Sequence, residues 1–189
     1  MKKNLPIIFD YLKELFPTPE TELHYSTPFQ FVVAVMLSAQ ATDVQVNKVT
    51  DKLFNHIGIS NIPIDKNDVK VSKETSGVVL KKIKNPEDLL TMGFANFERS
   101  ISSINYYKTK AKHIFQTAKI LIERSKIPRP KGHLPLSVKG VRHGIPDTLE
   151  ELMKLPGVGV KTGKLIAHVL YDKPYIAVDT HIHRVSNRL

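Results

Sequence analysis

Two side chains stand out for the chemistry they could do together. Lys161 comes two residues after the second glycine of Leu155-Pro156-Gly157-Val158-Gly159, and Asp179 follows eighteen positions later, inside AVDTHIHRV. A lysine amine attacks an electrophilic carbon only after shedding its proton. If a helix starts just after Gly159, Lys161 lies in its first turn, where the partial positive charge of the helix N-terminus disfavours an ammonium. Lys164, one turn on, adds like-charge repulsion, and desolvation in a cleft would act in the same direction. Asp179 follows three apolar residues and precedes a helical stretch, which suits an N-cap. A carboxylate fixed in that way can stabilise positive charge on a carbon as its leaving group departs, and can help to take the lysine proton. Taken alone, the same residues also fit a phosphate-binding lysine and an ordinary cap.

The turn between the glycines suggests an anion. Gly157 and Gly159 let the backbone turn tightly and approach a ligand closely. Their N–H groups, with the free amides of the next helix's first turn, would form a phosphate site. A bare Gly-x-Gly fits a plain helix–helix connection equally well; the flanking LP and KTG make this one more specific. Charge points the same way. There are 28 Lys and Arg against 18 Asp and Glu, a formal net charge of +10, which suits a polyanion partner such as DNA. There are no cysteines, so disulfides, thiol catalysis and thiolate-held metal are excluded within these residues. His181 and His183 are two apart on a helical stretch and point to different faces, a poor ligand pair, so no metal is expected.

The elements that would position these groups read as helices, with no convincing strand alternation. Ile8, Leu12, Leu15 and Phe16 form one stripe, ended by Pro17 and Pro19. Residues 29–39 are apolar on nearly every side, as in a buried helix, yet far short of the ~20 residues that span a bilayer. Thr42 and Gln45 have capping-box spacing ahead of Val46, Val49 and Leu53, and Asp147 and Glu150 repeat it ahead of Leu152 and Met153. Asn85-Pro86 opens a short helix that stops near Gly93, and residues 96–104 add a turn or two. Residues 108–124 make a helix with Ala111, Ile114, Phe115, Ala118 and Ile122 on one face, and Leu165, Ile166 and Val169 point inward after the hairpin. The polar, basic stretches 60–84 and 126–144 read as long loops.

LPGVGxKT resembles the helix-hairpin-helix motif of the DNA glycosylases, and VDTHxxRV behind it is similar to the endonuclease III family's signature. SAQATD and the run INYYKTKAKHI resemble two further segments of that family, so the resemblance covers most of the chain from Thr27 onward, with 60–84 and 129–143 as insert-like loops. It implies an all-α, two-lobed helix-hairpin-helix glycosylase fold. Residues 26–172 would be the helical domain with the hairpin at 147–171, and 1–25 plus 173–189 a partial second lobe. It implies a base-excision enzyme in which Lys161 attacks C1′ of an extruded nucleotide with Asp179 as its partner, forms a Schiff base and cuts by β-elimination. Double-stranded DNA with oxidised pyrimidines or abasic sites would be the partner of a soluble, cytoplasmic monomer.

By the same resemblance Gln40 fills the space left by the base, Tyr106 wedges into the stack, and Leu155, Gly157, Val158, Gly159, Thr162 and Lys164 bind DNA at the hairpin. Asn105 replaces the family's glycine beside the wedge and tolerates positive φ better than most residues. Lys108, Lys110 and Lys112 are candidates for phosphate contacts, as is the basic loop before the hairpin. Asp43 supports the Gln40 turn, as a cap. Gly163 stands where the family prefers alanine, costing roughly 1 kcal/mol of helix propensity. Family members usually continue through four cysteines that ligate a [4Fe–4S] cluster; no such cofactor is expected here, and an incomplete second lobe would leave the N-terminal helix with exposed apolar surface. Adenine- and mismatch-specific relatives generally lack the lysine, and SAQATD argues against the 8-oxoguanine branch. A non-catalytic hairpin DNA-binding module, or an inactive piece of such an enzyme, explains the charge and the glycines but not an aspartate at this distance.

Overall fold

A computed structural model of the chain describes residues 5–18, 20–55, 82–127 and 144–188. Among these the chain is helical, with no strand. In order come α1 (Leu5–Leu15), α2 (Pro28–Ser38), α3 (Asp43–Asn55), α4 (Pro86–Met92), α5 (Phe94–Ser100), α6 (Tyr107–Ser125), α7 (Leu149–Leu152), α8 (Val160–Tyr171) and α9 (Thr180–Ser186). Most of the two loops of the sequence reading, including the basic one proposed to touch DNA, falls outside the described residues.

The centre is α2, whose residues from Pro28 to Leu37 are all buried. A helix apolar on every side can only be an inner one, and α2 packs against α3, α6 and α8 at once. Its start is held by a box that the sequence reading missed. Thr27 accepts from the Gln30 backbone N–H, and the buried Gln30 Oε1 accepts from the backbone N–H groups of Ser26 and Thr27. Gln30 Nε2 donates to Ile83 O at 2.8 Å, so this core amide is satisfied at both ends. Asn85 caps α4 over Pro86, and α4 and α5 close over α6, with Phe97 fully buried.

Several local expectations shift. Thr42 accepts from Gln45 N as anticipated, but the Gln45 side chain reaches Ser103 O and does not close the box. Asp43 is the first residue of α3, not its cap. The cap of α7 is Thr148, which accepts from Glu151 N, so the Asp147/Glu150 pairing is off by one residue. On α6 the buried row is Ala111, Ile114, Thr117, Ala118 and Leu121, and Ile122 lies at its edge. On α8 it is Gly163, Ile166, Ala167, Leu170 and Tyr171, with Leu165 and Val169 only partly covered.

The buried core draws on residues from Leu23 to Tyr171. α9 has no buried residue, and on α1 Ile7, Phe9, Leu12 and Leu15 are exposed. Among the described residues no helix is long and apolar enough to cross a membrane.

Candidate active site and DNA-facing turn

The hairpin consists of α7, a turn and α8. Leu155 and Val158 are 3% and 6% exposed, so their side chains belong to the core, and the part expected of them on DNA would fall to the backbone. Apolar side chains here root the turn: the Val158 N–H closes back on Leu155 O at 3.1 Å. From outside, α6 braces it, with Thr117 Oγ1 donating to Pro156 O at 3.1 Å.

The two glycines do different things. Gly157 has φ +79°, and a Cβ there would lie 2.9 Å from both Cβ and Nδ1 of His113. Gly159 has an ordinary extended backbone, and a Cβ there would meet nothing within 4 Å. Its bare N-cap position, with no side-chain cap, leaves the first-turn amides of α8 uncovered for an anion. Gly157→Ala must take up a left-handed backbone, at a cost of roughly 1–2 kcal/mol, and also displace His113. The expected result is a lower melting temperature and at least about tenfold weaker duplex binding, since each ~1.4 kcal/mol lost at the phosphate site is a factor of ten. Thermal unfolding and a binding titration check this; unchanged affinity would mean that the turn is not the phosphate site. At Gly163 a Cβ would come 2.9 Å from Leu149 Cδ1, the movable tip of a side chain on α7.

Lys161 sits on the first turn of α8 and Asp179 is the N-cap of α9. The structure brings them together: Lys161 Nζ donates to Asp179 Oδ2 at 3.1 Å. The other carboxylate oxygen, Oδ1, accepts from the backbone N–H of His181 at 3.0 Å and of Ile182 at 2.8 Å. One oxygen therefore caps the helix while its twin faces the amine. The Ile182 N–H and then the Lys161 ammonium hold the Asp179 carboxyl below the usual aspartate range, which keeps it anionic. The expected desolvation is small, because the Lys161 side chain is 53% exposed and that of Asp179 28%. An open cavity of about 1130 Å³, lined among others by Glu20, His24, Tyr25, Asp51 and His168, includes neither of them. Thr162 and Lys164 are half-buried beside the pair on α8.

Gln40 and Tyr106 lie on two neighbouring loops, both exposed and both at φ +57°. The sequence expectation gave the positive φ to Asn105; it falls on Tyr106 instead, and Asn105 Nδ2 donates to Gln40 O at 3.1 Å. Lys110 is not free for a phosphate: its ammonium donates to Leu37 O at 2.8 Å and Ala39 O at 2.6 Å. Among the described residues no three His, Asp or Glu side chains cluster as metal ligands. His181 Nδ1 lies near Arg184 and the His183 ring near Asn187, so the two rings do not converge. A [4Fe–4S] cluster needs thiolate donors, and with no cysteine these residues do not fit one.

Comparison with known proteins agrees with this geometry. Residues 33–189 match the HhH-GPD superfamily of base excision DNA repair proteins. The chain is 36% identical over 189 residues to endonuclease III of Bacillus subtilis (strain 168), covering 99% of this chain and 66% of that protein. With endonuclease III of Escherichia coli (strain K12) it is 34% identical over 181 residues, covering 96% and 66%. The chain thus spans about two thirds of the length of these relatives. A solved structure of a trapped endonuclease III–DNA covalent intermediate superposes with a TM-score of 0.71 at 32% identity, covering all of this chain and 69% of that one. A thermostable thymine-DNA glycosylase shares the fold, with a TM-score of 0.66 at 18% identity. On the hairpin, the paired lysine and aspartate and these matches, the chain belongs to the HhH-GPD superfamily of base excision DNA repair proteins.

Proposed function

We propose that the chain is a base-excision DNA glycosylase with AP lyase activity, acting as a cytoplasmic monomer on double-stranded DNA that carries oxidised pyrimidines or abasic sites. The observation that carries the reading is the Lys161 Nζ to Asp179 Oδ2 contact of 3.1 Å at the mouth of the hairpin helix. Similarity to an endonuclease III trapped covalently on DNA supports a nucleophilic route.

Chemistry at C1′ is blocked inside a stacked duplex, so the nucleotide must swing out. The α8 first-turn amides and the Gly157–Gly159 turn hold a backbone phosphate, Gln40 occupies the vacated space, and Tyr106 wedges the stack. Lys161 first loses its proton, which Asp179 Oδ2, in contact with the amine, accepts and passes to water, so that the carboxylate is an anion again before the base leaves. The amine lone pair then forms the N–C1′ bond as the glycosidic bond breaks and its electrons leave with the base. The anionic Asp179 stabilises positive charge at C1′ during that step. The C1′–O4′ bond opens to an iminium. Loss of a C2′ proton then expels the 3′ phosphate oxygen with the C3′–O electrons and cuts the strand. At an abasic site, condensation of the amine with the aldehyde expels water and gives the same iminium.

Borohydride reduction during incubation with duplex DNA containing an abasic site should leave a covalent protein–DNA adduct. Binding with no adduct would favour the non-catalytic hairpin module, a reading that leaves the lysine–aspartate pair without a purpose.

A further inference from the structure

Gln40 and Tyr106 both hold a backbone conformation that non-glycine residues adopt rarely. Such strain persists only where the surroundings over-determine it. Lys110 reaches both loops. It stands in the first turn of α6, where its backbone N–H makes the ordinary helical bond to Tyr106 O at 3.0 Å, so its side chain is anchored directly beside the wedge residue. Its ammonium reaches across to Leu37 O and Ala39 O, carbonyls at the C-terminal end of α2 immediately before Gln40. A helix C-terminus leaves such carbonyls without partners and carries partial negative charge, so a cation placed there is bound by both effects. Asn105 Nδ2 to Gln40 O ties the same two loops, and Gln45 Nε2, on the first turn of α3, reaches Ser103 O at 2.5 Å beside them.

We infer that Lys110 is the positioning residue that joins the Gln40 and Tyr106 loops into one unit, so that the void-filling and wedging side chains enter a duplex together. This rests on the glycosylase reading for its consequence on DNA, but the joining itself is a property of the free protein. Burial lowers the affinity of the ammonium for its proton, yet the two carbonyls require a donor there, so methionine, of similar length and without a charge, is the informative replacement.

The test uses Lys110→Met, with Lys110→Arg as the conservative variant, in two assays. In the free protein, amide hydrogen exchange of residues 38–41 and 103–107 should accelerate in both segments together in Lys110→Met and return towards wild type in Lys110→Arg. On DNA, Lys110→Met should cut a lesion-containing duplex about 10–100-fold more slowly in kcat/KM, while cleavage of a single-stranded abasic oligonucleotide stays within about twofold, because only the duplex requires extrusion. Arginine should restore most of the duplex rate. Unchanged exchange in either loop, or equal losses on duplex and single strand, would overturn the inference. If Lys110→Met does not fold, Asn105→Ala, which removes the bond to Gln40 O, should give the same duplex-selective loss in milder form, and its absence counts against the inference. A wild-type protein that neither cuts nor traps DNA sinks the glycosylase reading, while the exchange experiment still decides whether Lys110 joins the loops.

Discussion

Lys161→Ala should abolish the borohydride-trapped adduct and slow strand cleavage at abasic sites by on the order of 10³-fold or more, as removal of a nucleophile does. Duplex binding should change little. The proposed phosphate site consists of turn and first-turn amides that the substitution leaves in place, and a single cation contributes at most about one counterion to the salt dependence of binding. Folding should also be almost unaffected, because the Lys161 side chain is half exposed and exposed ion pairs add little stability. The combination is specific: chemistry lost, affinity and melting temperature kept. A residual adduct in the variant would assign the nucleophile elsewhere, and a parallel collapse of binding would make Lys161 a DNA-holding residue.

Asp179→Asn separates two jobs that one side chain performs. The asparagine carbonyl oxygen can still accept from the N–H groups of His181 and Ile182, so α9 keeps its cap. The other atom becomes an NH₂ facing Lys161 Nζ, a donor opposed to a donor, and the negative charge is gone. Turnover should fall by about 10²–10³-fold, the size typical of removing one preorganised electrostatic partner from a transition state, with little change in melting temperature at neutral pH. Asp179→Ala should lose both turnover and the cap. The acid limb also has a definite sign. The Asp179 carboxyl is held low, chiefly by the Ile182 N–H and then by Lys161, so its stabilisation is fully present above the ordinary aspartate value. It is lost as pH falls through the depressed folded-state value. Wild type should therefore lose a small share of its stability on acidification through that range, and Asp179→Asn should not; if turnover survives the asparagine, the carboxylate is a cap and nothing more.

What the sequence made legible was whatever repeats a local rule. The all-round apolar run of α2, the Asn85-Pro86 start of α4 and the Asp179 cap each follow from the residues alone. The lysine–aspartate pair was legible through its motif, and the structure places the two atoms in contact. What stayed hidden depended on the third dimension. Leu155 and Val158 sit inside a DNA-binding motif yet point into the core, because a turn pressed on by α6 has to bury one side. Lys110 looks like its exposed neighbours Lys108 and Lys112, and only the approach of α2 to α6 turns it inward onto carbonyls. The cap of α7 shifted by one residue because Asp147 and Thr148 are both good caps, and spacing alone cannot choose between them. The Gln30 box went unnoticed inside an apolar run, since a glutamine there reads as an interruption until its four partners are visible.

The reactive pair straddles two kinds of ground. Its amine grows from a helix rooted through Ile166, Ala167, Leu170 and Tyr171, whereas its carboxylate tops a helix that contributes nothing to the interior. On the glycosylase reading, a sugar would enter between a helix anchored in the packed centre and one seated on its surface, so that admitting it need not disturb that centre.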